Sequence, residues 1–342
     1  MDKNSNWLHP AMVREARATG RGHLWIVELL IFLLVLLVGS ILQGIPLIGV
    51  TLGWVFGDQA FLSEAMAALQ GGDTGAYTAM IMGRASQPPA WMSIVNLFST
   101  GIMTLTAILF CRWIEKRKAA TMGFRRRAWL REYGIGVLVG FAMISIAAAI
   151  GYLTGAYRFA FSEFSPLLIL GYLLGFMVQG MSEEAVCRGY LMISISRKNP
   201  VWLAVVLSSL VFALLHLGNN GVGLLALVNI LLCGASFAVY MLKRGDIWGV
   251  SAIHSFWNFF QGHLYGISVS GTGGGGNTSI LTALTTDKPL WTGGAFGIEG
   301  GLCVTIVELA ALLLFIFVLP ARKEDAAAEP VLPQTPELPE QM

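Results

Sequence analysis

The chain is poor in charged residues, which make up 12% of its 342 amino acids. Soluble domains carry about 25%. Hydrophobic residues make up 55% of the chain, and its mean hydropathy is +0.68. This balance excludes an ordinary soluble domain and indicates that lipid surrounds most of the chain. A net charge of +2 gives no reason to expect nucleic acid as a partner.

Several motifs are also missing from the sequence. The four cysteines lie in or beside apolar segments and form no CxxC pair, so neither a disulfide framework nor a structural zinc site is indicated. No HExxH sequence is present, which removes the commonest signal of a zinc protease. The first apolar stretch begins near Leu24 and lacks a nearby small-residue cleavage site, so we predict a retained span and not a signal peptide.

The long apolar segments predict an all-α fold, a polytopic helical membrane protein with about eight transmembrane helices of about 20 residues each. The predicted spans are 24–43, 91–113, 134–156, 166–196, 201–217, 222–242, 247–265 and 301–320. Most of the 22 lysines and arginines then fall on one side of the membrane, including the whole basic loop 112–131. The positive-inside rule makes that side cytoplasmic, so we expect both termini in the cytoplasm.

These spans divide the chain into three parts. Residues 1–22 form a basic cytoplasmic segment with an interfacial helix expected around 12–19, and residues 23–320 form the transmembrane domain. The tail 321–342 is rich in Ala, Glu and Pro, a composition typical of disorder. Residues 57–90 and 266–300 are expected as loops on the outer side. Anionic lipid explains the basic loop.

Charged residues interrupt the fourth span, at Glu183, Glu184 and Arg188. Insertion scales assign each charge at bilayer depth a cost of roughly 2.5–3.5 kcal/mol. The sequence is apolar again after Arg188, which predicts that the helix continues to Arg197. The acids are then buried at the depth of His216, which lies in the returning helix.

The two adjacent acids differ in their geometric relation to Arg188. Glu184 is four residues from Arg188 on the same helical face, so the two can pair. Glu183 points about 100° away, and a desolvated carboxylate without a cation suits a general base. The alternative is that both acids pair with Arg188 and only hold helices together.

Three further polar residues lie in later apolar segments. His216 follows Phe212 by one helical turn, and His254 and Asn258 share one helical face. An imidazole and an amide side by side can donate hydrogen bonds to an oxyanion. They could equally form hydrogen bonds between helices. Glu308, in the middle of the last span, is either a helix-packing partner or part of a polar cavity.

These residues, taken in order, resemble the three motifs of the CPBP (ABI) family of intramembrane proteases, which includes the CAAX prenyl endopeptidase. The matching motifs are Glu183-Glu184-x-x-x-Arg188, Phe212-x-x-x-His216 and His254-x-x-x-Asn258. The resemblance covers about 120–262. One departure is Cys187, where relatives usually carry a bulky hydrophobic residue.

The resemblance implies a function for each motif residue. Glu183 would activate water with help from His216, and His254 and Asn258 would stabilise the oxyanion. Glu184 and Arg188 would shape the site. The family's mechanism is read as independent of metal, so no cofactor is expected, although two Glu and two His are acceptable zinc ligands.

We therefore predict an intramembrane endopeptidase of a bacterial inner or plasma membrane, acting on membrane-associated or secreted peptides or proteins. Two other classes remain open. A proton-coupled transporter would also need buried Glu and His residues, but the sequence shows no internal repeat. A non-proteolytic binding or immunity protein of the same family is the other, and retention of every motif residue argues against it.

Overall fold

The computed structural model describes residues 7–20, 22–273 and 276–322. Over these residues the chain is a bundle of helices with one two-stranded ribbon. The amino-terminal helices are α1 (Ala11–Ala18), α2 (Trp25–Phe56), α3 (Gln59–Gln70), α4 (Thr74–Ala85), α5 (Ala90–Ser99), α6 (Gly101–Trp113) and α7 (Trp129–Leu153).

The rest of the chain builds the centre of the bundle. Its helices are α8 (Pro166–Glu184), α9 (Ile193–Ser196), α10 (Val201–Leu214), α11 (Leu224–Arg244), α12 (Trp248–Phe259), α13 (Pro289–Thr292) and α14 (Leu302–Phe317). Strands β1 (Tyr157–Phe161) and β2 (Leu281–Thr285) pair antiparallel, with Tyr157 opposite Thr285 and Phe161 opposite Leu281.

The predicted class, a helical membrane protein, is confirmed. Within the described residues, five helical segments are long and apolar enough to cross a membrane. They are Trp25–Phe56, Ala90–Trp113, Trp129–Leu153, Pro166–Ser196 and Leu224–Arg244. Two more of the predicted spans are shorter apolar helices, α10 and α14. The remaining predicted span, 247–265, contains α12 and a π-helical turn at Phe260–Leu264.

The helix that carries the paired acids continues past them, as the sequence predicted. It begins at Pro166, where Ser165 accepts a hydrogen bond from the amide of Leu168 at 3.4 Å, and it runs to Ser196. Between Ala185 and Met192 the helix is π-helical. Short π-helical segments are rare and occur frequently at functional sites. The wider turn begins directly after Glu184.

Glycines bring the central helices close together. A Cβ atom added at Gly136 of α7 would lie 2.2 Å from the carbonyl oxygen of Gly249 in α12, and one at Gly140 would lie 2.5 Å from that of Ile253. On α8, a Cβ at Gly180 would lie 2.7 Å from the amide nitrogen of Ser255. Because α12 lies against both α7 and α8 at glycines, its side chains reach those of α8.

The segments around this centre differ from expectation. The first span was predicted at 24–43, but α2 continues to Phe56 because the sequence stays apolar through Pro46, which the helix accommodates. The expected loop 57–90 contains α3 and α4, each capped by an aspartate side chain.

The two ends of the described chain lie against the bundle. Helix α1 forms where a helix was expected, but its apolar side chains Met12, Val13 and Ala16 are fully buried in the protein core and are not left free for lipid. Arg17 donates to the carbonyl oxygen of Ser196 at 2.9 Å. The predicted disordered tail lies outside the described residues beyond 322.

The second predicted loop, 266–300, contains β2 and several short turns. Gly297 has a φ of 96°, and a Cβ there would lie 2.0 Å from the carbonyl oxygen of Ser268. The chain can therefore approach the backbone at Ser268 this closely only with glycine at this position.

Candidate active site

A cavity of about 450 Å³ lies between the central helices and the 266–300 segment. Its walls come from α5, α8, α10, α11, α12 and α14. The four residues predicted to be catalytic, Glu183, His216, His254 and Asn258, all line it. The sequence separates them by up to 75 positions, and the packing of α8, α10 and α12 brings them to one space.

Glu184 and Arg188 form the predicted ion pair beside this cavity. Arg188 Nη1 donates to Glu184 Oε1 at 2.9 Å, and neither side chain is exposed to solvent. The guanidinium also stacks over the ring of Phe212, 4.1 Å from its centroid. The pair is thus fixed on both sides by buried contacts.

His254 contacts both acids through its two ring nitrogens. Its Nδ1 lies 2.8 Å from Glu184 Oε1, and its Nε2 lies 3.6 Å from Glu183 Oε2. A carboxylate oxygen without a proton can only accept a hydrogen bond, so Nδ1 is the donor when Glu184 is ionised. Glu184 therefore orients the imidazole and directs its other nitrogen toward Glu183.

The two acids differ in exposure. The side chain of Glu183 is 34% exposed and lines the cavity, whereas that of Glu184 is 0% exposed. Among the described residues, Arg188 forms neither an ion pair nor a hydrogen bond with Glu183. The alternative in which both acids pair with Arg188 does not fit this arrangement.

His216 lies just beyond the end of α10 and lines the same cavity. Its Nδ1 lies 2.8 Å from the carbonyl oxygen of Phe212, which can only accept, so Nδ1 carries a proton. The Nε2 atom is then the nitrogen left for the cavity. Of the two imidazoles, His254 is the one within 4 Å of Glu183.

Gln179 was not singled out from the sequence. Its amide nitrogen donates to Glu183 Oε1, and its amide oxygen accepts from Asn258 Nδ2 at 3.1 Å. This one side chain therefore links the acid on α8 to the amide on α12. Its position one turn before Glu183 was the available signal, but a glutamine at that spacing does not identify its partner on another helix.

Metal ligation has little support from side-chain placement. Within residues 7–20, 22–273 and 276–322, no three His, Cys, Asp or Glu side chains come together as a potential metal site. Glu183 and His254 could supply two ligands, and a catalytic zinc site usually needs three from the protein.

The family comparison matches residues 164–260 to a family model described as type II CAAX prenyl endopeptidase Rce1-like. This region contains all three motifs and confirms the resemblance to the CPBP group, although it begins later than the expected 120. Neither a curated protein nor a solved structure matches the chain. Residues 164–260 are therefore similar to the Rce1-like family of type II CAAX prenyl endopeptidases.

Proposed function

We propose that this protein is an intramembrane endopeptidase that hydrolyses peptide bonds with water activated by Glu183. The observation that carries the proposal is the buried chain from Arg188 through Glu184 and His254 to Glu183, which ends at a cavity. In this series of contacts, the two charged groups of Arg188 and Glu184 orient the imidazole of His254. That imidazole lies beside the accessible carboxylate, which is that of Glu183. An ion pair between Arg188 and Glu184 with a purely structural role would not need His254 and Glu183.

In the proposed reaction, the Glu183 carboxylate removes a proton from water, and the water oxygen bonds to the carbonyl carbon of the substrate. The π electrons of the carbonyl move to its oxygen. When the carbon–nitrogen bond then breaks, the proton held by Glu183 passes to the leaving amine. Glu183 thus acts first as a base and then as an acid.

His254 and Asn258 supply donors for the oxyanion. With Nδ1–H donated to Glu184, we propose that His254 also carries a proton on Nε2, the nitrogen directed toward Glu183 and the cavity. Preorganised donors of this kind are worth roughly 3–4 kcal/mol in known enzymes. His216 presents its Nε2 lone pair to the same cavity and helps to hold the attacking water.

The substrate class that we propose is a peptide or protein presented at the membrane. The walls of the cavity include amide and hydroxyl side chains at Asn96 of α5, at Thr100 between α5 and α6, and at Asn219 in the turn after α10. Such groups suit the hydrogen-bonding atoms of a peptide backbone. A substrate in this position would leave the bilayer without losing all its backbone partners.

The test compares cleavage in cells that produce the wild type or Glu183→Gln at equal level, by mass spectrometry of new amino termini. Glutamine keeps the size of the side chain and removes the basic oxygen. We expect the termini made by the wild type to disappear in the variant and to persist in Glu64→Gln, a control at an exposed acid outside the cavity. Unchanged termini in Glu183→Gln refute the mechanism.

We also propose that both termini face the cytoplasm. The positive-inside rule supports this orientation. A reporter that works only in the cytoplasm should be active when it is fused after residue 342. A reporter that works only outside the cytoplasm should be active when it is inserted within 266–300. The reverse pattern overturns the orientation and leaves the catalytic proposal untouched.

A further inference from the structure

Glu308 is a buried acid that the proposed reaction does not use. It lies in the middle of α14, outside the matched region 164–260, and its side chain has no exposed area. Neither carboxyl oxygen has a hydrogen-bond partner within 3.5 Å among the described residues. A charge-bearing group in an apolar helix is costly, and such groups usually serve a function.

A role in helix packing does not account for this carboxyl. Helix α14 packs against α11, and the polar contact between them near Glu308 uses its backbone, because the Ser236 hydroxyl donates to the Glu308 carbonyl oxygen at 3.5 Å. Buried polar groups that hold helices together are themselves hydrogen-bonded. The Ser236 hydroxyl and the Cys233 thiol lie near the Glu308 carboxyl, but neither forms a hydrogen bond with it within 3.5 Å.

Arg188 is the candidate counter-ion for Glu308, but the two do not form an ion pair. Its ion pair is with Glu184, at 2.9 Å. Arg188 Nη2 lies against α11 at Gly234, where an added Cβ would be 3.1 Å from it. No ion pair within 4 Å joins Arg188 to Glu308 in the described chain, so the acid keeps capacity for another cation.

Glu308 lines the cavity that also contains Glu183. Glu308 and Val304 on α14 form one wall of the cavity together with Ile230 and Cys233 on α11. Only the two α11 residues of this wall lie within the matched family region. Among the described lining residues, three carry carboxyl groups and none is a lysine or arginine. Glu299, the third acid, is already engaged by the hydroxyl of Ser270 at 2.8 Å. Glu308 is the acid left without a partner.

We propose that Glu308 forms a subsite for a cationic side chain, the ammonium of a lysine or the guanidinium of an arginine on the peptide substrate. The inference deepens the proposed function, since it takes this cavity as the place where the substrate binds. The bound cation supplies the hydrogen-bond donors that the carboxyl lacks. The apolar side chains Ile230 and Val304 pack against the aliphatic part of the substrate side chain.

The test measures binding and needs no proteolysis. The full-length protein is purified in detergent, and its thermal unfolding is followed with increasing Nα-acetyl-lysine methylamide or Nα-acetyl-norleucine methylamide. The two probes share an unbranched four-carbon side chain, which ends in an ammonium group in the lysine probe and carries no further group in the norleucine probe. We expect the lysine probe to stabilise the wild type with an apparent affinity at least tenfold higher than that of the norleucine probe.

Glu308→Gln should abolish this preference, and Glu64→Gln should preserve it. Equal affinities for the two probes in the wild type, no stabilisation by either probe, or a preference that survives in Glu308→Gln each overturn the subsite. A strongly destabilised Glu308→Gln with an unchanged probe preference would show that Glu308 compensates Arg188 instead. Equal affinities in the wild type overturn the subsite even if the variant does not fold. A lysine preference in a protein without Glu183-dependent cleavage would refute the proposed reaction alone.

Discussion

Replacing each of the two adjacent acids by alanine should change the stability of the protein by very different amounts. Glu184 accepts hydrogen bonds from Arg188 and His254 at 2.9 and 2.8 Å, and all three side chains are almost entirely buried. Glu184→Ala leaves the guanidinium without its counter-ion in a place that water does not reach. Among the described residues, no other carboxylate forms an ion pair with Arg188 within 4 Å.

The magnitude follows from this burial. Removing one partner of a buried ion pair typically costs 3–5 kcal/mol. On the scale of large soluble domains, roughly 2 °C per kcal/mol, this corresponds to a fall in Tm of about 6–10 °C. Glu183→Ala removes a carboxylate that is one-third exposed and has no Lys or Arg partner, so we expect a change within about 1 kcal/mol.

Thermal unfolding of both variants in the same detergent checks this difference, with Glu64→Ala as the control for loss of an exposed acid. Proteolysis should be lost in both variants. If Glu183→Ala loses as much stability as Glu184→Ala, or more, then the structural and catalytic roles of the two acids have been assigned wrongly.

Three other outcomes are expected. Gln179→Ala should lower kcat by about tenfold with little change in Tm. Gln179→Glu should not have the wild-type kcat either, because a second carboxylate would repel Glu183. A normal kcat in both variants would show that Gln179 does not position Glu183. Purified protein should contain much less than one zinc per chain and should keep its activity after chelation, and one tightly bound zinc whose return restores activity would contradict this. Burial, together with the Glu132 carboxylate, raises the pKa of Asp246, in the turn after α11, to about 6. Because a raised pKa favours the folded state at low pH, this contribution to stability should be lost as pH rises from about 4 to above 6. Asp246→Asn should flatten that part of the profile of Tm against pH.

The parts of the site that the sequence predicts are those set by spacing within one helix. Glu184 and Arg188 are one turn apart, so their pairing requires only that the helix continue, and the apolar residues after Arg188 indicate that it does. Gly136 and Gly140 are four residues apart, a spacing typical of closely packed membrane helices, and the structure has α7 packed closely against α12 at both.

Relations between helices could not be obtained from spacing. The link from Glu183 through Gln179 to Asn258 depends on how α8 lies against α12, and no local pattern encodes that distance. The same holds for Glu308, whose place at the cavity depends on α14 packing beside α11. Helices α3 and α4 were missed because their mixed polar sequence lacks the long apolar run by which spans are recognised.

The order of the two acids follows from the geometry of one helix and one imidazole. Successive residues at the end of α8 point about 100° apart, so the two carboxylates face different directions. Glu184 is the acid that pairs with Arg188, and Glu183 faces the cavity. His254 can contact both because its two ring nitrogens lie on different edges of the ring, one at 2.8 Å from Glu184 and the other at 3.6 Å from Glu183. Exchanging the roles of the acids would require Arg188 to move to the neighbouring position, where it would leave the ring of Phe212. The guanidinium that stabilises the buried acid thereby also determines which acid remains accessible to water.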